Sequence, residues 1–287
     1  MTDPPLVLTG ASGALGGRVA RQLADREVPM RLVVRDLARA PQLPGAEVVR
    51  TDLGDEEAMR AAFDGARTVL LVSAEESPDR QQLHEVPVRA AAAAGIERVV
   101  YTSFLGAAPA ASFPYARDHA HTEVAIREAG MALTALRNSL YADIVPHLVG
   151  DDGVVRGPAG DGRCAWVARE DIARLAVATL LDDVHAHRIY DVTGPEPLDL
   201  HETVRLLGRV TGRGDLRYVP ETITEARASR AGAADWMVEG WIGSYLAIDT
   251  GELGVTSHTI EAVTGRRPLT FGAFLDAEPD AWRHLTR

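Results

Sequence analysis

Lysine is missing altogether: the thirty cationic residues of this 287-residue chain are all arginine. Chemistry that needs a side-chain primary amine is thereby excluded, including Schiff bases, a pyridoxal phosphate anchor and the lysine of a Walker-type phosphate loop. Arg, Ala, Gly and Pro are abundant together, as in GC-rich coding, so the absence constrains mechanism and is not itself a clue to function. Cysteine is almost as scarce. Cys164 alone cannot form an intrachain disulfide, and no Cys/His spacing resembles a zinc site, so no metal is expected. No apolar run approaches the ~20 residues that span a bilayer, and Met1-Thr2-Asp3-Pro4-Pro5 lacks a basic leader segment. A cytoplasmic location without a membrane partner is the expectation. Positive charge is also in deficit. A net charge of −11 argues against nucleic acid or an anionic surface as the main partner.

What is present reads as an ordinary globular protein, 46% hydrophobic and 25% charged. Short apolar runs at Leu6–Leu8, Leu32–Val34, Glu47–Val49, Val69–Val72, Arg98–Tyr101 and Leu133–Leu136 alternate with helical stretches at Gly16–Ala24, Asp55–Phe63, Gln81–Ala94 and His119–Ala129. Strands that are apolar throughout, alternating with helices, predict a doubly wound α/β fold with a parallel sheet. The rhythm changes after Arg137. Val149–Arg163 reads as a Gly/Asp-rich loop with a short strand at Val154-Val155, Asp171–Leu181 as a helix and Arg188–Val192 as a strand, and helices dominate from Asp199 onward. The expected division is a dinucleotide domain over 1–145, to which 164–194 returns, and a smaller, mainly helical cap from 146–163 and 195–287.

The most informative segment is Thr9-Gly10-Ala11-Ser12-Gly13-Ala14-Leu15-Gly16, a G-x-x-G-x-x-G turn between a strand and a helix. Gly10 permits the tight turn, Gly13 lets backbone approach a pyrophosphate, and Gly16 lets the helix pack closely on the strand. Gly10, Ser12, Gly13, Ala14 and Leu15 are accordingly cofactor-binding candidates. Where an NAD site places an acid at the end of the next strand, this chain has Arg35, then Asp36. Arginine suits the 2′-phosphate of NADP(H), which is the expected cofactor; the alternative is a solvated Arg35 with Asp36 in the acidic role. Asp52-Leu53 is a candidate adenine rim, and Ser73-Ala74, at the carboxyl edge of the fourth strand, a candidate for backbone contacts. Thr102, His119 and Asn138 complete the cofactor candidates.

With Val34-Arg35-Asp36, Leu70–Ser73, Val99–Ser103, Leu136–Tyr141, Ala159–Arg163 and Tyr190–Gly194 added to the turn, residues 6 to about 195 resemble the NmrA-like atypical short-chain dehydrogenase/reductases. Within that group the chain looks most like the NADPH-dependent quinone oxidoreductase and triphenylmethane reductase branch. The resemblance implies a six- or seven-stranded Rossmann domain, extended NADP(H) and a small C-terminal domain over the nicotinamide. Ordinary dehydrogenases use a serine and Tyr-x-x-x-Lys. Here Ser103, Tyr115 and His119 occupy those places as catalytic candidates, with Glu123 fitting the acid that often follows the lysine. Neutral imidazole lacks the fixed charge that makes the tyrosine a good acid, and the branch does without the relay.

The reading is therefore hydride transfer from NADPH to a quinone-like or other conjugated apolar acceptor, which stabilises its own product charge. Phe104, Leu105, Tyr141 and His147 are candidate substrate contacts, with Trp166 a further candidate whose default is core packing. The alternative is a non-catalytic NADP(H)-binding redox sensor of the regulatory kind. A sugar-nucleotide epimerase would need the complete Tyr/Lys pair. A homodimer through exposed helices is compatible with the sequence.

Overall fold

Apolar, β-branched runs fold into strands wherever both faces become covered. A computed structural model describes residues 5–286; the first four residues, on which the leader-segment reading mostly rests, lie outside them. The elements run β1 (Leu6–Thr9), α1 (Ala14–Ala24), β2 (Met30–Val34), β3 (Ala46–Arg50), α2 (Glu56–Phe63), β4 (Thr68–Leu71), α3 (Arg80–Ala93), β5 (Arg98–Phe104), α4 (Pro114–Glu128), β6 (Ala132–Asn138), β7 (Val154–Gly157), β8 (Arg163–Cys164), α5 (Arg169–Leu181) and β9 (Arg188–Val192). They continue with β10 (Leu198–Asp199), α6 (Leu200–Thr211), β11 (Arg217–Pro220), α7 (Ile223–Ser229), α8 (Asp235–Asp249), α9 (Thr259–Thr264) and α10 (Phe271–Ala277).

Seven strands form a Rossmann-type parallel sheet in the order β3-β2-β1-β4-β5-β6-β9. The reversal of strand order falls between β1 and β4, the switch point where open α/β sheets bind ligands. Val7, Val33, Val69, Leu71, Val99 and Tyr101 present one sheet face to Met59 and Phe63 of α2 and Val88 of α3, and all are buried. Asp55 caps α2 as its position suggests, its carboxylate accepting from the Ala58 N–H at 3.0 Å. Helix α4 begins at Pro114, five residues before the start read from the sequence, because proline is preorganised for a first helical turn.

The chain divides into two compact units, one of residues 1–104, 118–137 and 172–190, the other of 105–117, 138–171 and 191–287. Segments 105–117, 138–145, 164–171 and 191–194, expected in the first domain, thus group with the second unit. That unit holds two small sheets, β10-β8 antiparallel and β11-β7 parallel, with helices α6 to α10. Among the described residues no helix is long and apolar enough to cross a membrane.

Candidate cofactor and active site

The glycine turn leaves α1 with an unclaimed N-terminus. Gly10 adopts φ +63° and its carbonyl accepts from the Gly13 N–H at 2.9 Å. A Cβ at Gly16 would stand 2.3 Å from the Gly10 carbonyl oxygen, so only glycine lets the helix start this close to the strand. Gly13 caps the helix without a side-chain hydrogen bond, and no acidic residue occupies the first turn. The first-turn N–H groups and the positive end of the helix dipole therefore face outward with no built-in anion. Gly10, Gly13 and Ala14 are exposed, Ser12 half-buried and Leu15 buried.

Two threonines hold the strand ends beside this turn. Thr9 Oγ1 accepts from the Val72 N–H at 2.9 Å, and Thr102 Oγ1 accepts from the Ser73 N–H at 2.8 Å. The carboxyl ends of β1, β4 and β5 are thus tied where their ladders part. Thr102 acts on Ser73 in this way.

Past β2, Arg35 is exposed and pairs at 2.9 Å with the equally exposed Glu75. Such an exposed pair contributes about 0–1 kcal/mol. Asp36 is occupied: its carboxylate accepts from the Ala38 N–H at 2.9 Å and caps a 3-10 turn. Asp52 is exposed, with one oxygen accepting from the Gly54 N–H at 2.9 Å, and Leu53 packs on the core of the first unit.

The presumed lysine place belongs to a buried polar network. His119 is 5% exposed. Its Nε2 lies 2.9 Å from Arg80 Nη2, which can only donate, so Nε2 accepts and the ring proton sits on Nδ1, donating to the Tyr101 hydroxyl at 2.8 Å. His84 is held the same way: its Nε2 accepts from the Ala74 N–H at 2.9 Å and its Nδ1–H donates to Thr122 Oγ1 at 2.8 Å. Thr122 in turn donates to the Asp118 carbonyl at 2.9 Å. Burial, then the Arg80 charge, then His121 pull the His84 imidazole down to about 3. Burial, Arg80 and His84 push His119 well below the usual range, and burial raises the Tyr101 phenol. Both imidazoles are neutral around pH 7. Arg80 Nε also donates to the Ala74 carbonyl at 3.2 Å, so Ser73-Ala74 is gripped at both backbone groups of Ala74.

Ser103 donates to Glu123 at 2.7 Å. That carboxylate also takes both arms of Arg137 at 2.8 Å and Arg127 at 3.0 Å. Burial works against the Glu123 charge, but the hydrogen bonds from Arg137 and Ser103 prevail and hold its carboxyl below the usual value. The Ser103 proton is committed to this cluster. Phe104 is buried and stacks on His119, with ring centroids 6.1 Å apart.

Tyr115 belongs to the second unit. Phe113 meets it edge-on at 5.3 Å, and a Cβ on Gly240 of α8 would lie 2.7 Å from its ring. Leu105 is buried; its N–H donates to the Asn138 carbonyl at 2.9 Å. The Tyr141 ring carries the Arg169 guanidinium at 4.2 Å. His147 is exposed and stacks on His284 at 4.7 Å. Trp166 is a core residue whose indole N–H donates to Thr203 at 3.0 Å, and burial pushes the Cys164 thiol up to about 12.

Asn138 stands apart. It is 1% exposed, yet neither its amide oxygen nor its amide nitrogen has a hydrogen-bond partner. A native fold rarely leaves four hydrogen-bonding positions unmet by protein, water or ligand.

Within the first unit, a helix N-terminus on a glycine turn with an exposed arginine past β2 fits the phosphates of a dinucleotide. The sequence pattern described as NAD(P)H-binding matches residues 10–183. The chain belongs to this NAD(P)H-binding family. It is similar to the NAD(P)H azoreductase of Xenophilus azovorans, 28% identical over 284 residues that cover 96% of this chain and 99% of that one. Among solved structures, the NADPH-dependent quinone oxidoreductase of Escherichia coli in complex with NADPH matches with a TM-score of 0.85 and 28% identity, covering 98% of this chain and 100% of the other. The triphenylmethane reductase of a Citrobacter species matches with a TM-score of 0.82 and 28% identity, covering 95% and 99%. The NmrA-like reductase branch read from the sequence is the one these relatives represent.

Sequence reasoning about this NAD(P)H-binding protein missed Arg80, His84 and Thr122, and gave no role to Tyr101 and Arg137 within the segments it singled out. The only signal was spacing: Arg80 and His84 share a face of α3, and His119 and Glu123 share one of α4.

Proposed function

We propose that this protein is an NADPH-dependent reductase whose acceptor is a quinone-like or similarly conjugated, apolar molecule. The observation that carries the reading is the commitment of the dehydrogenase relay positions: Ser103 to Glu123, His119 to Arg80 and Tyr101. An acceptor that delocalises incoming charge needs no strong protein acid.

In this reading the first-turn N–H groups of α1 hold the pyrophosphate, with Gly10, Ser12, Gly13, Ala14 and Leu15 shaping the turn. Arg35 releases Glu75 to take the 2′-phosphate, while Asp36 caps its own turn. Asp52 and Leu53 border the adenine, and Ser73-Ala74 line the far side of the turn. Thr102, His84 and Arg80 are positioning residues that fix Ser73 and Ala74; His119 and Ser103 likewise position rather than transfer protons. Asn138 offers its carboxamide to the nicotinamide amide. When bound, NADPH supplies the hydride. Phe104, Leu105 and Tyr141 are the proposed acceptor contacts; His147, stacked on His284, is the weakest member of that set.

NADPH consumption followed by absorbance with a panel of quinones, azo dyes and triphenylmethane dyes tests the proposal. Acceptor-dependent oxidation with at least tenfold preference for NADPH over NADH is expected, and Arg35→Ala should abolish that preference. Tight NADPH binding without oxidation by any acceptor would instead favour the sensor reading.

A further inference from the structure

Helix α6 carries His201, Arg205 and Arg209 four residues apart, which places them along one face. The helix ends at Gly212, φ +70°, and the chain doubles back so tightly that a Cβ on Gly208 would lie 2.8 Å from the Arg213 carbonyl oxygen. That reversal, followed by β11, adds Arg213 and Arg217 to the same concavity, a cavity of about 510 Å³. Its size is that of a small-molecule site.

The charge is out of keeping with the rest of the chain. Acidic residues outnumber basic ones 41 to 30 overall, yet the lining of this cavity holds four arginines and no acidic residue. Asp215 takes the fork of Arg213 at 3.1 and 2.5 Å. Arg205 and Arg209 are exposed, and among the described residues neither has a hydrogen bond or an ion pair. Like charges four apart on a helix repel. The carbonyl end of α6 offsets about half an elementary charge and leaves the surplus standing.

The floor differs from the rim. Tyr218 is buried, and its hydroxyl donates to the Gly157 carbonyl at 2.7 Å and accepts from the Ala159 N–H at 3.1 Å. The polar end of the ring is thereby satisfied by the fold. The ring, crossed edge-on by His201 at 5.1 Å and joined by Val204 and Leu216, gives the cavity an apolar patch. We propose that this cavity of the second unit binds a small phosphorylated organic molecule, its phosphate on Arg205 and Arg209 and its organic body on the Tyr218 floor. Planar guanidiniums match phosphate oxygens two at a time, and a dianion answers the charge surplus better than a single carboxylate.

Titration calorimetry on the full chain in excess NADPH tests this, since the cofactor then occupies its own phosphate sites. Phenyl phosphate is expected to bind, inorganic phosphate at least threefold more weakly, and phenol not at all. The double variant Arg205→Gln/Arg209→Gln, in which both changed side chains are exposed, should melt no lower than wild type and bind phenyl phosphate at least tenfold more weakly. Absence of heat from phenyl phosphate, or equal affinity in the double variant, overturns the site. Equal affinity for inorganic phosphate overturns the role given to the floor. A comparable loss in Arg35→Ala would move the anion to the cofactor turn and equally overturn the proposal.

Discussion

Acid should weaken the first unit through His84 in particular. The side chain is 1% exposed and its imidazole is held down to about 3, against an ordinary value of 6.5. With Nδ1 already protonated, its surroundings oppose a second proton, which would have to go on Nε2. The Ala74 N–H points at Nε2, Thr122 and Tyr101 face Nδ1, and the Arg80 and His121 charges act from α3 and α4. A histidine whose folded value is depressed stays neutral in the native state while the unfolded chain takes up a proton. Stability from this group is therefore complete above about pH 6.5 and is lost as pH falls towards 3. At pH 5 the loss amounts to about 2 kcal/mol, since each unit below 6.5 is worth about 1.4 kcal/mol. Urea unfolding of wild type and His84→Gln between pH 7.5 and 5 isolates the effect, because carboxylate titrations common to both chains cancel. Wild type should lose about 2 kcal/mol more than the variant over that interval. A difference that stays constant within about half a kcal/mol would show that the ring is protonated in the folded state, and the tautomer assignment would fall with it.

Three further outcomes follow from particular contacts. Asn138→Leu removes two unmet polar atoms, so the cofactor-free protein should gain about 1–2 kcal/mol in denaturant unfolding; its thermal stabilisation by NADPH should shrink relative to wild type. A loss of cofactor-free stability would mean that the amide is satisfied within the fold. Gly16→Ala forces backbone apart at the Gly10 carbonyl, and fluorescence titration should show NADPH affinity reduced at least tenfold. Tyr115→Phe should retain acceptor-dependent turnover within about twofold, whereas Gly240→Ala, which crowds the same ring, should lower the melting temperature; a large loss of kcat in Tyr115→Phe would restore the tyrosine to the chemistry.

Local signals in the sequence were reliable where the chemistry is local. The turn Gly10–Gly16, the Asp55 cap and the positions of the first six strands follow from neighbours within a few residues. The register from His119 to Glu123 was also legible, because four residues return a helix to the same face. What those residues touch was not. Arg80 reaches His119 across 39 positions, and Ser103 reaches Glu123 across 20, through the packing of α3 and α4 beside β5. The stacking of His147 on His284 spans more than a hundred residues, so a candidate acceptor contact became part of a surface pair. The boundary between the units was hidden for the same reason: segments 105–117 and 164–171 adjoin strands and helices of the first unit in the chain, while their packing lies with the second.

The two imidazoles share one polarity: each takes a donor on Nε2 and passes its own proton onward from Nδ1. Those two protons, shut away from water and fixed in place, should exchange slowly and give separate downfield proton resonances. Their persistence would report how often α3 and α4 part from the sheet. A change in occupancy at Ala74, whose amide starts one of the two chains, should move the His84 signal before any side chain rearranges. The buried histidines would then serve as an internal, label-free gauge of the loop that follows β4.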